Sequence, residues 1–220
     1  MSPSASSSYV LRYFNIPGIA ETSRMLLTAA LVDWKEENPE WPLAKSDQPF
    51  GRVPVLIEED SSDGSKHVLC ESPAIERYLA RKYGFMPTEL KLASRQEEIR
   101  EQQIDTIQAF FNVNRFEGSK EFALGRFYII LDRLLNVHSA ILRENGNNGH
   151  YFGDRLTYVD IGAYGIIRAI VIHGKGLENE RSRHLIEKIT PEFKKLVETV
   201  ESDPLLQAHF ANSKILSMFE

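Results

Sequence analysis

Residues 9–21 read YVLRYFNIPGIAE, and the reading of the fold turns on how that stretch ends. Its first six residues are rich in aromatic and β-branched side chains, which suit a pleated strand. Asn15, Pro17 and Gly18 then stop the strand, because proline has no N–H to give a ladder and glycine admits backbone angles closed to other residues. Beyond the turn, Ile19, Ala20, Met25, Leu26, Leu27, Ala30 and Leu31 recur near i, i+3, i+4 and i+7, with Glu21 in the first turn, as in an amphipathic helix. A strand, a sharp turn and a helix in succession open an α/β unit and carry Tyr13 to the strand's end.

The same unit continues through VPVLIEE (53–59) and HVLC (67–70), two strand-like runs separated by the turn-rich DSSDGSK and expected to pair antiparallel. SPAIERYLARKYG follows as a helix: Ser72 is expected at the N-cap, Pro73 at the first helical position, and Gly84 just past the end. From about residue 92 the pattern becomes helical throughout, over 93–114, 122–144, 157–173 and 191–201. The fold class is therefore α/β plus all-α. A flexible N-terminus spans 1–8, an α/β domain 9–84, a linker 85–92 and a helical domain 93–220.

Composition bounds the function. Lys and Arg number 26 against 31 Asp and Glu, and the resulting −5 disfavours nucleic acid or anionic lipid as partner. No apolar run approaches the roughly 18–20 residues needed to span a bilayer. The single cysteine, Cys70, excludes an internal disulfide or a multi-cysteine zinc site, and a reducing, cytoplasmic setting is expected. The six histidines show no metal-ligand spacing. His138, His173 and His184 are expected as surface or packing residues, and Cys70 as a small packing residue.

Several short segments carry chemistry. Glu71-Ser72-Pro73 places an acid, a hydroxyl and free backbone N–H groups at a helix N-terminus, a combination suited to the ammonium and carboxylate of an α-amino acid; an ordinary capped helix explains it as well. In FGRVPVL (50–56), Pro54 cannot donate to a ladder, so Val53 keeps backbone groups that a ligand peptide could pair with, or the segment is simply a strand-starting turn. In EWPLAK, Trp41 and Lys45 stand four residues apart; on a helical turn an indole N–H and an ammonium could reach one carboxylate, and a solvated turn is the alternative.

Taken in order, YVLRYFNIPGIAE, WPLAK, SDQPFGRVPVL and ESPAIERYLARKYG resemble the thioredoxin-like domain of cytosolic glutathione transferases, closest to the tyrosine-type classes and especially sigma. GDRLTYVDIGAYGI (153–166) resembles that family's capping segment in the helical domain, where Thr157 and Asp160 form a capping box worth about 0.5–2 kcal/mol for its cap. The resemblance implies a thioredoxin-like fold with a mixed sheet, glutathione as co-substrate, no metal, and a homodimer as the family's usual assembly. It makes Tyr13 the residue whose hydroxyl favours the glutathione thiolate. A free thiol titrates near 8.5, and lowering it by about two units requires roughly 2.7 kcal/mol.

By the same resemblance Trp41 and Lys45 hold the glycyl carboxylate, and Arg52 is a further glutathione-binding residue. Val53 pairs with the cysteinyl backbone, Pro54 is cis, and Glu71 with Ser72 holds the γ-glutamyl end. Asp105 reaches the γ-glutamyl ammonium from the partner subunit, and Phe50 is the aromatic key of the dimer. Phe14, Ile16, Ile107 and Phe111 are candidates for a hydrophobic-substrate pocket, and core packing accounts for each equally. One departure stands out: where relatives often carry an arginine soon after the turn, this chain has Ile19, leaving Arg24 as a substitute cation or a structural residue. The implied activity is conjugation of glutathione to hydrophobic electrophiles. The alternatives are a non-catalytic glutathione- or ligand-binding protein, an isomerase or a peroxidase.

Overall fold

The computed structural model describes residues 7–173, 179–210 and 214–219. Of the expected flexible N-terminus, residues 1–6 lie outside this set, whereas Ser8 is already paired with Glu59 in the sheet. Four strands, β1 (Ser8–Arg12), β2 (Trp34–Glu37), β3 (Val55–Glu59) and β4 (Lys66–Cys70), form one mixed sheet in the order β2-β1-β3-β4. β1 and β2 run parallel, which their long connection through helix α1 (Glu21–Ala29) permits, and the other two pairings are antiparallel. The expected hairpin forms with Val55 opposite Cys70 and Glu59 opposite Lys66.

β2 is not foreseen from the sequence. Its WKEE carries three charges and one apolar residue, a composition that suits only an edge strand, and the ladder from β1 supplies what propensity does not. β1 stops at Arg12, yet the Tyr13 amide still donates to the Glu37 carbonyl at 3.0 Å, so Tyr13 leaves the sheet in a fixed direction.

Helix α2 (Ser72–Lys82) begins one residue earlier than expected. Glu71, not Ser72, is the N-cap; its φ of 70° turns the chain inward, and its carbonyl accepts from the Ala74 and Ile75 amides. Gly84 takes a φ of +77° just past the C-terminal end, as a left-handed stop requires. Glu89 then accepts from the Lys91 and Leu92 amides at 2.9 and 2.8 Å, and this cap starts α3 (Leu90–Arg115) three residues ahead of 93.

The helical domain continues with α4 (Lys120–Glu144), α5 (Tyr158–His173), α6 (Glu180–Lys188), α7 (Pro191–Ser202) and a short α8 (Gln207–Phe210). α5 is apolar on nearly every face and is buried from Tyr158 to Val171, with α3, α6, α7 and α1 around it. Asp160 at its start accepts from the Thr157 amide and hydroxyl at 2.8 and 2.7 Å and from the Tyr151 amide at 2.8 Å. The expected box thus extends into a clamp on the preceding loop. α6 was not foreseen: ERSRHLIEK is dominated by charge, and its one clear signal is Asn179, whose side chain caps the Arg181 amide.

Two buried ionic contacts lock the domains together. Arg100 of α3 pairs with Glu76 of α2 at 2.9 Å and also donates to the Thr22 hydroxyl of α1 at 3.2 Å. Arg168 of α5 pairs with Glu21 of α1 at 2.6 Å. Between α2 and α3, Phe85 and Met86 are buried, and the Tyr158 amide donates to the Phe85 carbonyl at 2.9 Å.

Candidate active site

A cleft of about 710 Å³ opens between the domains, within the range of small-molecule sites. Tyr13, Phe14, Ile16, Trp41, Arg52, Val53, Pro54, Glu71 and Ser72 line it from the sheet side, and Ile107 and Phe111 face them from α3.

Tyr13 is 6% exposed, and its hydroxyl oxygen accepts from the Ile19 amide at 3.3 Å. Burial raises the phenol's pKa; the Ile19 amide and the Arg24 and Arg115 charges pull the other way without overcoming it, so the group stays protonated at neutral pH. Its one hydrogen is left to donate. Gly18, with φ +51°, makes this arrangement possible: a Cβ there would lie 2.4 Å from the Tyr13 hydroxyl oxygen.

Arg24 is buried below this turn. Its guanidinium donates to the carbonyls of Phe14, Ile16 and Pro17, each at 2.9 Å, pairs with Glu21 and Glu36, and sits 5.5 Å from the centre of the Tyr13 ring. One residue therefore ties the turn and brings positive charge to the phenol. Tyr9, by contrast, is 1% exposed in the core, with its hydroxyl bonded to that of Tyr83.

At the opposite end, Glu71 keeps its φ of 70° and no side chain caps α2; Pro73 has no N–H and the Ala74 and Ile75 amides are taken by the Glu71 carbonyl, which leaves the amide of Ser72, a residue of the cleft lining, as the donor at the helix start. A non-glycine residue in this region carries strain of about 1–3 kcal/mol, which the surrounding fold sustains. Val53 and Pro54 precede β3, and the bond between them is cis, as expected; Trp41–Pro42 is cis too.

One residue expected at this cleft, Lys45, lies outside its lining. The helical turn is a single 3₁₀ turn over Leu43–Lys45, so Trp41 precedes it and shares no helical face with Lys45. Trp41 packs edge-on against Phe14 at 5.5 Å and reaches the cleft, whereas Lys45 is exposed outside its lining, with its aliphatic stem against Gly51. Asp105 is exposed and lines a separate groove between α3 and α4.

The cleft also contains residues that the sequence reading passed over. Ile104, Gln108, Asn112 and Arg115 join Ile107 and Phe111 along one face of α3. The spacing 104, 107, 108, 111, 112 and 115 is the helical period, so following that stripe past its apolar members would have found them. Arg115 stacks over Phe111 at 5.8 Å and supplies positive charge opposite Tyr13. Cys70 is half-buried in the lining rather than packed in the core, and burial together with Glu71 pushes its thiol up, away from nucleophilic use. Among the described residues no cluster of His, Cys, Asp and Glu could hold a metal ion, and no helix is long and apolar enough to cross a membrane.

A mixed four-stranded sheet with an all-helical partner domain, joined at a cleft that a tyrosine enters from the first βα turn, defines the thioredoxin-like transferases. The model of the glutathione S-transferase N-terminal domain matches residues 9–81, and that of the C-terminal domain residues 105–213. Glutathione S-transferase 3 of Caenorhabditis elegans is 30% identical over 70% of this chain and 75% of its own length. S-crystallin 2 of Octopus vulgaris is 30% identical over 71% and 78%. The sigma class GST of Fasciola hepatica superposes with a TM-score of 0.78 at 25% identity, covering 95% of this chain and 97% of that one. The chain belongs to the glutathione S-transferase family.

Proposed function

We propose that this transferase activates glutathione through Tyr13 and adds the resulting thiolate to hydrophobic electrophiles. The observation that carries this reading is the state of the Tyr13 hydroxyl: protonated, accepting from the Ile19 amide, and able to donate its hydrogen to a sulfur in the cleft. A hydrogen bond of that kind favours thiolate over thiol. The thiol proton passes to solvent and the sulfur pair forms the new S–C bond, while the electrophile's leaving group departs with its bonding pair or, in an addition, its π pair shifts onto the electrophile and takes a proton from solvent; the cleft supplies proximity.

Glutathione lies along the sheet side, with its glycyl carboxylate toward Trp41, Arg52 and Lys45. Its cysteinyl backbone meets Val53 beside Pro54, and its γ-glutamyl group meets Glu71 and Ser72. The electrophile occupies the side lined by Phe14, Ile16, Ile107 and Phe111. The protein acts as a cytoplasmic homodimer, in which Phe50, 66% exposed, enters the partner, and Asp105 extends toward the partner's γ-glutamyl site. Sedimentation velocity of wild type and Phe50→Asp tests the assembly: a dimer converted to monomer is expected, and a monomeric wild type overturns it.

The activation is tested by titrating the thiolate absorbance of bound glutathione in wild type and Tyr13→Phe. The bound thiol is expected to ionise below about 8.5, with the substitution raising its pKa. Glutathione that binds with an unshifted thiol in both proteins would instead identify a non-catalytic glutathione-binding protein. Isomerisation and peroxide reduction start from the same thiolate, and assays with an isomerisable substrate and an organic hydroperoxide separate them from conjugation.

A further inference from the structure

His173 ends α5, the central helix of the second domain, and the sequence alone gives it no function. Its Nε2 lies 3.2 Å from the amide of Gly18, in the turn that follows Tyr13. An amide can only donate, so Nε2 must be the acceptor, and the imidazole carries its proton on Nδ1. The surroundings favour that neutral form. Burial lowers the imidazole's pKa, and the Arg181 guanidinium of α6 pushes the same way against the opposing Glu21 carboxylate of α1. α3 contributes the rings of Phe111, 5.3 Å away and edge-on, and Phe110, 6.4 Å away. The ring is thus held by packing on one side and bonded to the turn on the other.

The position of the bond matters more than its energy. Gly18 and Ile19 are consecutive, and the Ile19 amide is the donor to the Tyr13 hydroxyl. Gly18 itself packs so closely on Tyr13 that no Cβ would fit. A shift of a few tenths of an ångström in this turn therefore moves both the phenol and its backbone donor. Arg24 fixes the carbonyls of the turn from below, and His173 fixes an amide from the other domain.

The geometry points to His173 as a positioning residue for thiol activation: by accepting from Gly18 it holds the Gly18–Ile19 turn, and with it the Tyr13 hydroxyl, in the orientation that stabilises the thiolate. The inference rests on the assignment of Tyr13 as activator. His173 does not touch the sulfur.

Two substitutions separate this function from packing. His173→Phe keeps a ring against Phe110 and Phe111 and removes the acceptor. His173→Gln places a carbonyl oxygen the same number of bonds from Cβ as Nε2. Bound-thiol pKa, and kcat and KM with 1-chloro-2,4-dinitrobenzene, are measured for both alongside wild type and Tyr13→Phe. The phenylalanine variant is expected to raise the bound-thiol pKa and lower kcat roughly tenfold, with the KM for glutathione little changed. The glutamine variant is expected to stay within about twofold of wild type. If His173→Phe fails to fold, His173→Leu takes its place in the same comparison. An unshifted thiol in the acceptor-less variant, or equal impairment of both variants, overturns the inference. Should Tyr13→Phe also leave the thiol unshifted, the fault lies with the Tyr13 assignment; a shift there without one at His173 rejects His173 alone.

Discussion

The Ile19 amide donates to the Tyr13 hydroxyl at 3.3 Å, so a backbone group from the turn helps to orient the phenol. Position 19, where the resemblance leads one to expect an arginine nearby, thus contributes through its main chain. Charge comes from Arg24 under the ring and Arg115 across the cleft.

Gly18→Ala is expected to impair thiol activation directly. The added methyl meets the Tyr13 hydroxyl oxygen at 2.4 Å and Cε1 at 2.8 Å, and the φ of +51° strains any L side chain. Left-handed strain alone costs about 1–2 kcal/mol. Displacement of the phenol should raise the bound-thiol pKa and reduce kcat/KM at least about tenfold, while glutathione is retained. The thiolate titration and steady-state kinetics check this; a variant with wild-type thiol pKa refutes it.

Removing one partner of the Glu76–Arg100 pair should destabilise the protein strongly. The side chains are 1% and 4% exposed, so Glu76→Gln or Arg100→Gln leaves buried polar groups short of a partner, at a cost of roughly 3–5 kcal/mol. The double variant Glu76→Gln/Arg100→Gln should lose less than the sum of the single losses. Urea unfolding midpoints of the four proteins decide it, and strictly additive losses would contradict the pairing.

Asp160→Ala should cost on the order of 3 kcal/mol, since the carboxylate satisfies the amides of Thr157 and Tyr151 and the Thr157 hydroxyl in a fully buried place. Chemical denaturation measures the loss. A change below about 0.5 kcal/mol, typical of a surface substitution, would mean that the clamp is dispensable.

Acid should lower the protein's stability over two overlapping pH windows. Burial, with help from Arg95, lowers the His138 imidazole from 6.5 to about 4. The unfolded chain then binds a proton that the folded chain refuses, so stability falls between about 6.5 and about 4. Glu21 follows: burial opposes ionisation, but His209, Arg168 and Arg24 outweigh it and hold the carboxyl at about 2 against an ordinary 4.5. Its contribution is complete above about 4.5 and is lost as pH falls toward 2, each group being worth up to roughly 3 kcal/mol. Urea midpoints at several pH values test the sign. In His138→Asn the upper window should flatten while the lower one remains.

Much of this was legible in the sequence because local chemistry and tertiary demand agree. The Pro17–Gly18 turn after Tyr13, the β3–β4 hairpin and Gly84 after α2 each follow from what one or two residues can do with their backbone. The reading failed where a residue's conformation is imposed from outside. WKEE becomes a strand because β1 offers it a ladder. Glu71 takes the cap position in a conformation that no propensity assigns to glutamate, displacing Ser72 by one. Trp41 and Lys45 do not share the helical face their spacing predicts, because the turn covers only Leu43–Lys45 and starts after Pro42. His173 and Arg115 meet the cleft only through the packing of the second domain on the first, a relation absent from any single segment.

The arginines at the domain boundary also set how this chain can be recombined. Glu76 and Glu21 belong to the first domain and are almost wholly enclosed, yet Arg100 and Arg168 come from the second. A fragment ending near Gly84 would keep both carboxylates and lose those cations. The first half is therefore not a freely portable module: Glu21 would keep Arg24, but Glu76 would lose Arg100, so grafted onto the helical half of another transferase it should be most stable where the recipient carries a guanidinium in the place of Arg100.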